Sequence, residues 1–120
     1  MVKTYGLTHI SLAVRDPERS MRFYNEVFGA QEYYRDQTCI QAKGPGHDIL
    51  AFVLDAEGAG RTGGIGHFGF RLIAPNDIDA AVDAALRAGG RLLERGEHGP
   101  GFPFAYIADP DGYQLEIWFE

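Results

Sequence analysis

Two histidines and one glutamate are the residues whose types and spacing indicate chemistry. His9 ends the segment Gly6-Leu7-Thr8-His9, and His67 ends the similar segment Gly64-Ile65-Gly66-His67, so each half of the chain carries a histidine at the same point. Imidazole nitrogens and carboxylate oxygens, such as those of Glu116, are ligands that divalent transition metals prefer. A single histidine on a strand is commonly an ordinary surface residue, but the repeated pair favours a divalent-metal site.

The alternation of polar and apolar residues predicts which side of each strand these candidates occupy. Neighbouring residues of a strand point to opposite faces, so His9, His67 and Glu116 lie opposite the apolar residues of their strands. The apolar faces are suited to packing against helices, which leaves the candidate ligands on the helix-free faces. The apolar sets are Ile10, Leu12 and Val14; Phe68, Phe70 and Leu72; and Tyr113, Leu115, Ile117 and Phe119.

Each half of the sequence begins with a strand and a helix. Asp16-Pro17-Glu18 combines an N-cap, a proline at the first helical position and an acid in the first turn, and Gly29 ends that helix. In the second half Asn76 is the predicted cap of a helix that ends before Gly89. The predicted strands cover residues 8–14, 31–36, 38–43, 48–54, 64–70, 91–95, 103–108 and 113–119.

This order of elements predicts an internal repeat. The fold class is α+β, with two βαβββ modules in tandem that form a curved mixed sheet around a metal-binding cleft. We expect one domain over residues 1–120, with module one at about 1–56, a link at about 57–63 and module two at about 64–120.

Length and composition exclude several classes of protein. The chain has 120 residues, 45% of them hydrophobic, which is enough for one domain with a core. Its net charge is −6 without a basic run, so we expect neither nucleic acid nor a membrane as a partner. The longest apolar run, Ile49–Leu54, is far shorter than a membrane span, and Cys39 is the only cysteine. We therefore expect a cytoplasmic protein.

These segments resemble the vicinal oxygen chelate superfamily, which includes glyoxalase I, extradiol dioxygenases, fosfomycin-resistance thiol transferases and bleomycin-binding proteins. The resemblance covers nearly the whole chain and implies that His9, His67 and Glu116 are the metal ligands. It rests on Leu7-Thr8-His9-Ile10-Ser11-Leu12-Ala13-Val14, Asp16, Phe23-Tyr24 and Phe28-Gly29 in the first half. In the second half it rests on Gly66-His67-Phe68-Gly69-Phe70 and Asp109-Pro110-Asp111-Gly112-Tyr113-Gln114-Leu115-Glu116.

The sequence departs from glyoxalase I at one ligand. That enzyme uses a further glutamate on the last strand of the first module, whereas this chain has Leu50 or Ala51 at the matching position. Neither side chain can bind a metal. Two histidines and one carboxylate leave about half of an octahedral shell open, as in non-haem iron(II) oxygenases.

Three further residues are candidate catalytic residues. In a regular hairpin centred near Asp111, Tyr106 lies opposite Glu116. His47, just before a predicted strand, resembles the acid–base histidine of extradiol dioxygenases. His98, in a glycine- and proline-rich loop, is similar in position to another histidine of those enzymes. The resemblance implies that Tyr106 and His98 hydrogen-bond the substrate, although each residue also fits an ordinary surface or packing role.

The favoured function is extradiol-dioxygenase-like oxidation of a small catechol-like substrate chelated by its adjacent oxygens. The resemblance implies a divalent metal, with Fe(II) favoured and Mn, Ni or Zn possible. Alternative functions are a glyoxalase-like lyase or isomerase, a thiol transferase of the fosfomycin-resistance type and a metal-free small-molecule-binding resistance protein. The resemblance also predicts a homodimer, with or without exchange of modules between subunits.

Overall fold

The computed structural model describes residues 1–120, and the chain divides into two compact units, Met1–Ala59 and Gly60–Glu120. Each unit contains one α-helix and a four-stranded mixed sheet. The predicted α+β class with two βαβββ modules is therefore confirmed. Neither helix has the length and apolar character that crossing a membrane requires.

In the first unit the outer strand β1 pairs in parallel with the last strand of the unit. The sheet order is β1-β4-β3-β2, and the other neighbouring pairs are antiparallel. Helix α1 packs against β3 and β4. The elements are β1 (His9–Val14), α1 (Pro17–Phe28), β2 (Gln31–Arg35), β3 (Cys39–Lys43) and β4 (Ile49–Leu54).

Both predicted ends of α1 are confirmed. The Asp16 side chain accepts hydrogen bonds from the backbone amides of Glu18 and Arg19, at 3.1 and 3.3 Å. Gly29 has a φ of 71°, a left-handed conformation that glycine adopts without strain at a helix end. The helix contributes Tyr24 to the core of this unit, where its ring stacks on Phe52 with centroids 5.2 Å apart. Both aromatic side chains are fully buried.

The second unit repeats this topology. Its sheet order is β5-β8-β7-β6, with β5 parallel to β8 and the other pairs antiparallel. Helix α2 packs against β6, β7 and β8, so it covers the apolar face of this sheet. The elements are β5 (Phe68–Arg71), a 3-10 turn (Pro75–Asp77), α2 (Ile78–Arg87), β6 (Arg91–Glu97), β7 (Pro103–Ala108) and β8 (Gln114–Trp118).

Two details of the second unit differ from the sequence prediction. The strand predicted from residue 64 begins only at Phe68, because Gly63 and Gly64 have φ values of 59° and 99° and form a turn. Asn76 does not cap α2. It lies inside the 3-10 turn that begins at Pro75, and no side chain caps the N-terminus of the helix. Proline favours the first position of such a turn, which moves the start of α2 to Ile78.

A tight turn between β7 and β8 sets the register of the strands that carry Tyr106 and Glu116. The Asp109 carboxylate accepts hydrogen bonds from the backbone amides of Asp111 and Tyr113, at 2.9 and 3.0 Å. Gly112, with a φ of 96°, donates its amide to the Asp109 carbonyl at 2.9 Å. The two strands then pair so that Tyr106 lies directly opposite Glu116, as the turn sequence predicts.

Replacing Asp109 with alanine should therefore lower the stability of the protein. The carboxylate is buried, and its loss leaves two backbone amides without this acceptor, so we expect the free energy of unfolding to fall by about 1–3 kcal/mol. Urea denaturation followed by circular dichroism would measure the change. Asp109→Asn is the matched control, because its amide oxygen can still accept. An equal loss in both variants would contradict the hydrogen-bond explanation.

Candidate functional site

Glu116 occupies the middle of β8 on the face of the sheet opposite α2. Its strand neighbours Leu115 and Ile117 are buried at 0% and 1% exposure, whereas the Glu116 side chain is 13% exposed. The alternation predicted from the sequence therefore directs this carboxylate away from the apolar core. Tyr106 lies beside it on β7, and Gly69 lies beside it on β5.

Two histidines contact the Glu116 carboxylate, one at each oxygen. Nε2 of His67 lies 3.1 Å from Oε2, and Nε2 of His98 lies 2.7 Å from Oε1. His67 precedes β5, and His98 follows β6. The second unit thus brings together four of the six residues predicted for the site: His67, His98, Tyr106 and Glu116.

Tyr106 contacts His67 edge to face, with ring centroids 5.2 Å apart. Burial raises the pKa of the Tyr106 phenol, and the nearby negative charges of Glu116 and Glu94 raise this pKa further. The phenol is therefore protonated at neutral pH. Its hydroxyl can donate a hydrogen bond to an oxygen of a bound molecule.

The other two predicted residues, His9 and His47, lie in the first unit. His9 is the first residue of β1 and pairs with Ile49, and its side chain is exposed. His47 lies in the loop before β4, where its ring stacks on Tyr5 with centroids 4.6 Å apart. The first unit therefore contributes one candidate ligand and one candidate acid–base residue.

The registers of the two sheets identify the residue of the first unit that is equivalent to Glu116. Ser11 of β1 pairs with Ala51, and Gly69 of β5 pairs with Glu116. Because Ser11 follows His9 by two residues and Gly69 follows His67 by two, Ala51 and Glu116 are equivalent. Of the two positions left open by the sequence, Ala51 is thus the counterpart, and its methyl group cannot bind a metal.

Two aromatic residues that contact the candidate residues were not among the residues predicted for the site. Phe104 stacks on His98, with centroids 4.1 Å apart and planes 14° apart, and Tyr5 stacks on His47. Alternation along β7 does place Phe104 on the same face as Tyr106, so a signal for Phe104 was present. Nothing in the sequence around Tyr5 indicates its partner.

His67 and Glu116 meet a simple test for two ligands of one metal ion. Ligand atoms about 2.1 Å from a metal and at right angles to each other are about 3 Å apart. The separation of Nε2 of His67 and Oε2 of Glu116 is 3.1 Å, and nitrogen and carboxylate oxygen suit a borderline divalent ion. No group of three or more His, Cys, Asp or Glu side chains in the structure is arranged to hold a metal ion.

Comparison with known proteins identifies the family. The profile of the Glyoxalase/Bleomycin resistance protein/Dioxygenase superfamily matches residues 6–117. The chain belongs to this superfamily. A relative from Vibrio parahaemolyticus, a probable lactoylglutathione lyase, is 32% identical over 123 residues, which cover 92% of this chain and 88% of the relative.

Another relative is a longer protein, and two solved structures are similar to this chain in fold. A putative lactoylglutathione lyase of Brassica oleracea is 29% identical, but the chain spans only 42% of its length. A glyoxalase-related enzyme from Fulvimarina pelagi superposes with a TM-score of 0.75 at 27% identity, over 98% of this chain and 89% of that one. The fosfomycin resistance protein FosX from Mesorhizobium loti has the same fold, with a TM-score of 0.80 at 23% identity, over 98% of this chain and 94% of FosX.

Proposed function

We propose that the protein is a divalent-metal-dependent enzyme that acts on a small molecule with two adjacent oxygen atoms. His67 and Glu116 have the donor types and the 3.1 Å separation of adjacent ligands. The sequence resemblance implies His9, the counterpart of His67 in the repeat, as the third ligand. Fe(II) is the favoured metal, and Mn, Ni or Zn are the alternatives.

The observation that carries the proposed reaction is Ala51 at the position equivalent to Glu116. With alanine there, the protein supplies two histidines and one carboxylate, which leaves open positions for both a substrate and dioxygen. We therefore infer extradiol-dioxygenase-like oxidation of a catechol-like substrate. A divalent iron in this site would supply the electron transfer that lets dioxygen react with the ring.

The remaining chemistry falls to three side chains of the protein. An imidazole has one nitrogen that can accept a proton and one that can donate it, so His47 can take a proton from a substrate hydroxyl and return it later. Tyr106 keeps its phenolic proton and donates a hydrogen bond to a substrate oxygen. The Nε2 atom of His98 is directed at Glu116, which makes a supporting role for His98 more direct than contact with the substrate.

A second candidate function is that of a lactoylglutathione lyase. The relative from Vibrio parahaemolyticus favours this function, because it is named as a probable lactoylglutathione lyase. The chain covers 88% of that relative. The departure at Ala51 weighs against it, because the resemblance to glyoxalase I implies a second carboxylate ligand at that position. The two candidates require different substrates, and only the first consumes oxygen.

One set of assays distinguishes the two candidates. We expect anaerobically reconstituted Fe(II) protein to consume oxygen and open the ring of at least one member of a panel of simple catechols. The same protein, and samples loaded with Ni, Zn or Mn, would be tested for conversion of lactoylglutathione. His47→Ala should retain the metal and lose about 100-fold or more of the rate, because a general acid–base group is removed.

Each outcome of these assays favours one function. Oxygen uptake that depends on both the catechol and Fe(II) supports the dioxygenase. Lactoylglutathione turnover without oxygen uptake supports the lyase and refutes the dioxygenase. Thiol-dependent loss of fosfomycin would instead support a transferase. Tight binding of a small molecule that chelators do not affect would support the metal-free binding protein.

A further inference from the structure

We propose that His98 is a positioning residue that holds the Glu116 carboxylate in the orientation required to bind a metal ion. This proposal rests on the proposed function. It assigns His98 a role different from the substrate contact that the sequence resemblance implies. The proposal is based on the contacts of the Glu116 carboxylate, because His98 contacts one of its oxygens and His67 contacts the other.

His98 and His67 lie on different oxygens of Glu116, so they are not equivalent. Oε2 is next to the candidate ligand His67, and Oε1 receives the hydrogen bond from Nε2 of His98 at 2.7 Å. His98 therefore supports the carboxylate from the outer oxygen, and Oε2 is left for the metal.

The ring of His98 is itself held in place by Phe104. The two rings are nearly parallel, 14° apart, with centroids 4.1 Å apart. Gly96 lies opposite Phe104 on the neighbouring strand, and a Cβ atom there would come within 3.2 Å of the Phe104 ring. Glycine at position 96 thus leaves space for the ring on which His98 stacks.

The backbone of the loop fixes His98 from the other side. Its amide donates to the Phe102 carbonyl, and the Phe102 amide donates to the Gly99 carbonyl, both at 3.0 Å. Gly101 closes the loop with a φ of 82°, a conformation that favours glycine. With its ring and backbone both fixed, His98 presents Nε2 to Glu116 at little cost in conformational entropy.

Hydrogen bonds to the outer atom of a metal ligand orient that ligand, and their loss commonly lowers metal affinity by about 10–100-fold. We expect His98→Ala to weaken Co²⁺ binding by this factor, measured by competition with a chromophoric chelator, while the stoichiometry stays unchanged. His98→Gln should recover much of the affinity, because its amide nitrogen can also donate to Oε1. Glu97→Ala, a neighbouring change without a contact to Glu116, is the control and should bind as the wild type does.

X-ray absorption spectroscopy of the Co²⁺ protein counts the imidazole ligands of the metal, so it distinguishes a positioning role of His98 from a ligand role. The number of imidazole ligands should be the same in wild type and His98→Ala. Loss of one imidazole would make His98 a ligand and overturn the positioning role. Equal affinity of wild type and His98→Ala would overturn this proposal alone. If the wild type binds no Co²⁺, the proposed function fails, and this proposal fails with it.

Discussion

Glu116→Ala should abolish metal binding and reduce activity to background. Glu116 is the only carboxylate in contact with His67 and His98, and the equivalent position of the first unit is Ala51, which offers no substitute. Elemental mass spectrometry of protein purified without a histidine tag should find about one transition-metal ion per wild-type chain and almost none in the variant.

The effect of Glu116 on metal binding must be separated from its effect on folding, because its side chain is only 13% exposed and both of its oxygens have partners. Glu116→Gln keeps the shape and one acceptor oxygen but is a poor metal ligand, so it should fold and still lose the metal. Glu94→Ala is the matched control. It removes a carboxylate from β6 opposite Tyr106 and should leave the metal content unchanged.

The identity of the metal directs the next experiment. Iron would justify the catechol and oxygen assays, whereas nickel, zinc or manganese would favour lyase or transferase chemistry. Wild-type metal content in Glu116→Gln would refute Glu116 as a ligand. Absence of metal from the wild type after reconstitution would favour the metal-free binding protein.

Phe52→Ala should have the largest effect on stability, at about 3–5 kcal/mol. Phe52 is fully buried at the centre of β4, where its ring stacks on Tyr24 and its backbone pairs with Leu12 and Ile40. Truncation removes a large apolar surface and leaves a cavity between α1 and the sheet. Because domains of this size are stable by only about 5–15 kcal/mol, much of the total stability would be lost.

Urea denaturation followed by circular dichroism would measure this loss. Phe102→Ala is the control, since Phe102 is 43% exposed and its truncation should cost less than about 1 kcal/mol. Comparable losses in the two variants would show that the packing of α1 on β4 contributes less than the buried contacts indicate.

The sequence by itself determined the elements, the repeat and the family. Asp16 and Gly29 define α1 because capping depends on residues within one turn of the helix. The period-two pattern directs Glu116 away from the apolar face. The turn at Asp109 determines the pairing of Tyr106 with Glu116, because hairpin register follows from the turn.

Some local signals were misleading even near the candidate site. Gly64-Ile65-Gly66-His67 matches the start of the first strand, but Gly63 and Gly64 adopt left-handed conformations, and the strand begins after His67. Asn76 is a good capping residue, yet Pro75 places it inside a 3-10 turn. In both places a neighbouring glycine or proline determines the backbone conformation.

Only the tertiary structure decided which side chains meet. The contact of His98 with Glu116 depends on a loop shape set by Gly101 and on the ring of Phe104. No local repeat or motif in the sequence indicates this contact. The choice of Ala51 over Leu50 required the register of β1 with β4. Periodicity and turn chemistry act over a few residues, whereas side-chain contacts depend on the packing of segments distant in the chain.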